Sequence, residues 1–310
     1  MTKCDGVNKR LAANVGLLIT AVIWGSTFSI TKVALTDVDP MLFLFVRFAA
    51  ALATLALLSA VRLLSSRNRP EAYRLTLTRA LRPGIILGLI FAIGYVTQTE
   101  GLRYTTATAS GFITGMNVVF VGLMYSILNR RIPARHSLIG IALATVGLLT
   151  ISVSGRLTIA RGDLLTLICA VFFGLHIVVT EVYARHVDPV EVALVQAAVL
   201  CLVTLILTQA RGVSMRPYEI SARALAAALY CGIFATSVAL VIQTLAQRVT
   251  SSVDTAIIYS MEPVFSAVFA FAFLREAPTL QTLAGGLLIF AGVVTVNLSE
   301  AREPEPRVSC

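Results

Sequence analysis

Charge is scarce in this sequence: Asp, Glu, Lys and Arg make up 13% of 310 residues, against roughly 25% in a soluble domain. With 57% apolar residues and a mean hydropathy of +0.85, that shortage excludes an ordinary soluble globular protein. Catalytic signatures are missing as well. There is no His-Glu-x-x-His and no Gly-rich phosphate loop, so metalloprotease chemistry and ATP-driven pumping have no footing. Ser152-Val153-Ser154-Gly155 lacks the Gly-x-Ser-Gly spacing that would point to an intramembrane serine protease. The five cysteines, Cys4, Cys169, Cys201, Cys231 and Cys310, are scattered. Without Cys-x-x-Cys or Cys/His spacing they read as small buried hydrophobes, not a disulfide framework or a metal set. No cofactor and no metal are expected.

What is abundant is long apolar runs. A helix needs about 20 apolar residues to cross the roughly 30 Å hydrocarbon core. Ten such spans are expected, at 12–33, 40–61, 83–102, 106–128, 133–152, 163–183, 189–209, 223–246, 251–273 and 278–297. Backbone groups in lipid must be satisfied internally, and runs this apolar suit helices, not an alternating barrel. The first run is too long for a signal-peptide core and reads as a retained helix. The expected fold is therefore an all-α integral membrane protein with ten transmembrane helices.

The formal charge of +9 follows topology and does not form a nucleic-acid patch. Lys3, Lys9 and Arg10 precede the first span. Arg62, Arg67, Arg69, Arg74, Arg79 and Arg82 lie between the second and third, and Arg130, Arg131 and Arg135 follow the fourth. The alternate loops of that half hold Lys32 and Arg103. Twelve against two places the amino terminus in the cytoplasm, and ten spans return the carboxyl terminus there.

The chain also repeats itself. At an offset of 145, Met116 falls under Met261, Phe120 under Phe265, Arg130 under Arg275, Ile132-Pro133 under Ala277-Pro278, Gly140 under Gly285 and Gly147 under Gly292. At 149, Trp24-Gly25 falls under Phe173-Gly174, Thr27 under His176, Lys32 under Glu181, and Val38-Asp39-Pro40 under Val187-Asp188-Pro189. The offset changes because the first copy carries an Arg-rich linker, 62–82, that is four residues longer. Each copy holds five spans. An odd number makes the second enter the membrane from the opposite side, giving an inverted repeat of two five-helix halves, 12–152 and 161–297. The remainder, 298–310, is polar with Pro304 and Pro306 and reads as a disordered cytoplasmic tail.

Trp24-Gly25, Arg47-Phe48, Met261-Glu262-Pro263-Val264-Phe265 and Leu274-Arg275-Glu276, set in a tandem five-helix repeat, resemble the EamA-type branch of the drug/metabolite transporter superfamily. The resemblance runs from about 12 to 298. It implies ten helices, a cavity between the halves and movement of small metabolites, commonly export of amino acids or related compounds. The first copy departs from the pattern: Asn117-Val118 stands where Glu-Pro is usual, and Arg131 stands where a glutamate is usual.

Candidate solute-binding or coupling residues are the polar and aromatic groups at mid-span. Glu262 lies roughly 16 Å into its helix, near the midplane. It either binds an amine or takes up a proton, or else it satisfies a carbonyl freed by Pro263. Asn117 holds the matching depth in the other copy, and Tyr259 stands one turn before Glu262, with Thr114 in the equivalent slot. Trp24, the single tryptophan, sits away from the interfacial belt, as cavity wall or as packing bulk. His176 titrates near neutral pH or is a packed histidine. Gln98 and Gln243 match at 145, with Tyr95 one turn before Gln98; they line a cavity or bond between helices at about 0.6 kcal/mol. Arg47, about 10 Å into its span, is within snorkelling reach of the interface. The paired glycines of the fifth and tenth spans read as packing seams.

These readings point to a secondary transporter in the cytoplasmic membrane. Its partners are a small-molecule solute and the lipid bilayer, with protons as a candidate coupling ion and no nucleic acid. A facilitative uniporter, a membrane scaffold and an intramembrane enzyme are the alternatives.

Overall fold

In the computed structural model, which describes residues 3–65, 70–130, 132–152, 161–214, 220–277 and 280–300, every regular element is helical. The first copy comprises α1 (Lys3–Ala34), α2 (Pro40–Ser65), α3 (Pro70–Leu102), α4 (Ala107–Gly115), α5 (Asn117–Asn129) and α6 (Arg135–Ser152). The second comprises α7 (Arg161–Ala184), α8 (Pro189–Ala210), α9 (Ala222–Gly232), a π-helical turn (Ile233–Val238), α10 (Ala239–Ala246), α11 (Ser252–Tyr259), α12 (Glu262–Leu274) and α13 (Leu280–Glu300).

Eight segments among the described residues are long and apolar enough to cross a membrane: 9–34, 40–64, 73–102, 107–128, 161–184, 189–210, 222–246 and 252–274. The two other expected spans appear as α6 and α13, outside that set. α6 is 18 residues long and opens on Arg135-His136, and only Leu283–Gly292 of α13 forms a shorter apolar stretch. The Arg-rich 62–82 segment is largely helical. α3 starts at Pro70 and carries Arg74, Arg79 and Arg82 within it, where a proline at the first position and a run of helix formers favour early nucleation. α13 continues to Glu300, beyond the 298 boundary of the expected tail; 301–310, like Arg131, lie outside the described residues.

The fourth and ninth spans are each broken in two, at matching positions. Thr106 caps α4 by accepting from the Ala109 N–H, and 145 residues later Ser251 caps α11 by accepting from the Asp254 N–H. The breaks fall at Met116 and at Ser260-Met261. Both second halves then end in a left-handed arginine, Arg130 at φ 50° and Arg275 at φ 59°. Pro263 accounts for the second break, since a proline removes a ladder hydrogen bond. The first break has Val118 in its place, so the duplicated geometry persists without the proline.

Contacts between the copies are reciprocal. α3 packs on α7 and α8, while its counterpart, α9 through α10, packs on α1 and α2; α1 packs on α12, and α7 on α5. The equivalent pairs α2/α8 and α6/α13 run antiparallel. Arg62, near the end of α2, pairs with Asp188 at the start of α8 at 2.9 Å. Arg211, its counterpart at 149, lies 4.0 Å from Asp39, the counterpart of Asp188, and also pairs with Glu100. The glycine seam repeats the exchange: a Cβ on Gly147 would meet the Gly285 carbonyl at 2.6 Å, and one on Gly292 would meet the Gly140 carbonyl at 2.9 Å. At the Arg211 end, hydrogen bonds from Arg223, Ser221 and Thr36 hold the carboxyl of Asp37, in the loop between α1 and α2, down to about 2.

Candidate functional site

The helix breaks, α1 and α7 converge at the middle of the bundle because glycine lets them. A Cβ on Gly25 would sit 2.6 Å from Phe265 Cβ and 2.9 Å from the Glu262 carbonyl. Gly174, its counterpart on α7, makes the equivalent approach to the other break, with a Cβ 3.3 Å from the Asn117 carbonyl. Each Trp/Phe-Gly dipeptide thus presses its glycine on the opposite copy's broken helix and turns its aromatic ring toward the centre. There a small cavity is lined by Trp24, Phe91, Asn117, Phe173, His176, Ile177 and Gln243.

Four of the eight residues singled out in the sequence, Trp24, Asn117, His176 and Gln243, share that wall. Trp24 is oriented by its indole N–H, which donates to the Ala235 carbonyl at 2.8 Å. That carbonyl lies in the π-helical turn, where Thr236 and Ser237 hydroxyls also donate to the Cys231 and Gly232 carbonyls, as expected where a widened turn frees backbone groups. The Trp24 ring packs on Tyr259 at 4.8 Å between centroids. His176 is stacked on Phe91 at 4.0 Å and 13°, with its Nε2 bonded to Gln196 Oε1 at 2.8 Å. Tyr95 closes the cluster against Phe91 and Phe173 at 4.6 and 5.2 Å.

Glu262 is 3% exposed and occupies the first turn of α12, directly after the break. Asn117, 2% exposed, occupies the first turn of α5. Both sit at a helix N-terminus, where unsatisfied N–H groups and the helix dipole favour a negative charge or an acceptor. Gln243 lines the cavity, but its counterpart Gln98 turns to its own copy, donating to Thr114 Oγ1 at 3.2 Å.

Arg47 corrects the snorkelling expectation. It is 3% exposed, donating from Nε to Thr236 Oγ1 at 3.1 Å and from Nη2 to the Tyr95 hydroxyl at 3.0 Å, with its guanidinium 4.4 Å from the Tyr95 ring centroid. Satisfying the charge inside the bundle replaces reaching for the interface. Sequence reasoning also passed over Gln196, Gln247, Phe91 and Phe173. Two of these carried a signal: Gln196 is the 149-offset counterpart of Arg47, and Phe173 that of Trp24. Phe91 and Gln247 had none, since an apolar ring or a span-end amide is unremarked until its neighbours are known.

The profile of the EamA-like transporter family matches residues 11–153 and 160–298. An uncharacterized transporter of Archaeoglobus fulgidus is 34% identical over 295 residues, covering 95% of this chain and 88% of that protein. The uncharacterized transporter YoaV of Bacillus subtilis is 24% identical, covering 90% of this chain and 94% of its own length. A crystal structure with 16% sequence identity superposes at a TM-score of 0.70, over 94% of this chain and 98% of that one.

Proposed function

Since the chain belongs to the EamA-like transporter family, and is thus a multi-span membrane transporter, we propose that it is a secondary transporter exporting a small metabolite. The metabolite is an amino acid or a related compound, and it crosses the cytoplasmic membrane by alternating access between two inverted five-helix halves. The observation that carries this reading is the central cavity. It lies beside the break between α4 and α5, with walls drawn from both copies. Broken helices meeting at a repeat interface are where transporters of this architecture hold solutes. The antiparallel α2/α8 and α6/α13 contacts support the inverted arrangement, with α6 and α13 as the fifth and tenth spans. Glu262, Asn117, Trp24, Tyr259, Gln243, His176 and Tyr95 are the proposed solute-binding or coupling groups, with Gln98 tuning Thr114 behind them.

Purified protein in liposomes should move a solute from an amino-acid and metabolite panel at a rate well above protein-free liposomes. Absence of flux for every solute in either direction would remove the transport reading. Dissipating a proton gradient then separates coupled export, which stops accumulating solute, from uniport, which does not change. Topology is tested independently. Reporter fusions at Arg74 and after Glu300 should both report the cytoplasm; an external carboxyl terminus would mean an odd span count.

A further inference from the structure

Two residues of the cavity wall carry an acceptor oxygen with no hydrogen-bond partner among the described residues: Asn117, from the first copy, at Oδ1, and Gln243, from the second, at Oε1. They are 2% and 1% exposed. A buried acceptor left unpaired is costly, and natural interiors hold few. The polarity of Gln243 is fixed by a relay and does not depend on how an amide happens to be drawn. Gln247 must turn its Nε2 to the Ile177 carbonyl, which only accepts, at 2.8 Å. Its Oε1 then accepts from Gln243 Nε2 at 3.1 Å. The remaining atom of Gln243 can only be an acceptor.

We infer that the cavity selects a solute whose nitrogen carries hydrogens, a primary ammonium or amide N–H, over the same solute with that nitrogen fully alkylated. The inference rests on the transport reading only in placing the solute at this cavity. The aromatic faces of Trp24, Phe91 and Phe173 attract any organic cation, methylated or not, so they do not make the distinction. The two oxygens do. A donor-bearing nitrogen can pair with either oxygen, whereas a trimethylated one meets it with methyl groups alone. Sites built to bond a substrate N–H reject analogues lacking it because their own polar groups stay unpaired.

Trp24 is the single tryptophan and lines the cavity, so the full-length protein reports occupancy through its intrinsic fluorescence. The probes are 2-phenylethylammonium, its N,N,N-trimethyl analogue and phenylacetate, titrated into detergent-purified protein. The expected result is saturable change with the primary amine, and affinities at least about 10-fold weaker for the other two. Gln243→Met should bring the primary and trimethyl compounds within about 2-fold of each other, by loss on the primary side. Asn117→Leu, on the other copy, should narrow the gap independently, which guards against a Gln243 variant that merely misfolds. Equal binding of the trimethyl compound or of phenylacetate overturns the inference. So does a preference that survives both substitutions, or an emission unchanged by all three probes. Those outcomes leave the liposome flux untouched, whereas failure of the transport reading shows as absent flux whatever the nitrogen carries.

Discussion

Glu262→Gln is expected to lower transport by about 100-fold while the protein purifies and melts as the wild type does. The first copy provides the reason for expecting an intact fold. Asn117 stands at the same point, the first residue after a helix break, and its helix is broken, capped and terminated as α12 is. A neutral amide is therefore compatible with this geometry, and the substitution gives the second copy what the first already has. The carboxylate is surplus to the architecture. It is nonetheless kept at 3% exposure, where a charge at mid-membrane costs roughly 2.5–3.5 kcal/mol on the translocon scale. A cost of that size with no structural return is the mark of a group retained for what it binds, and a loss of similar size in the rate-limiting step corresponds to about 100-fold. The measurement is initial flux in liposomes at matched protein incorporation. Flux of Glu262→Gln within about 2-fold of wild type would make the carboxylate structural and shift the site to Trp24, His176 and Gln243.

How much of this arrangement was legible in the sequence depended on periodicity and offset. Eight of the ten expected spans could be read because lipid demands long apolar runs, and the duplication because Met116/Met261 and Asp39/Asp188 keep their spacing. Trp24, Asn117, His176 and Gln243 could be picked because polar or amphipathic groups at mid-span are expensive. Three things could not be read. The break at Met116 has no proline, so its signal lies in its partner 145 residues on and not in its own residues. The inward fate of Arg47 depends on Thr236, made available by a π-helical turn that no local propensity announces. The divergence of Gln98 from Gln243 follows from Thr114 standing where the second copy has Tyr259, which leaves room for a short bond within one copy. Depth in the membrane is a property of sequence position, but the direction a side chain takes is set by what the other copy puts beside it.

The same comparison of copies yields the largest expected effect on stability. Gly25→Ala should destabilise the protein by about 1–3 kcal/mol more than Gly174→Ala, although the two glycines are equivalent by the 149 offset. At Gly25 a Cβ would lie 2.6 Å from Phe265 Cβ, 2.9 Å from the Glu262 carbonyl and 3.0 Å from the Ser266 N. None of these atoms is the end of a flexible side chain, so α12 itself must move, and overpacking a close-packed contact costs about 1–3 kcal/mol. At Gly174 the nearest atoms are at 3.3, 3.3 and 3.5 Å, a contact that relaxes by a few tenths of an ångström. The tight contact belongs to the copy that carries the carboxylate: pushing α12 away from α1 displaces Glu262, whose carbonyl is one of the atoms met. Gly25→Ala should therefore lose flux as well as thermal stability, and Gly174→Ala should keep most of both. Paired melting and flux measurements on the two variants check this. Equal losses would mean that the asymmetry between the two breaks has no energetic consequence.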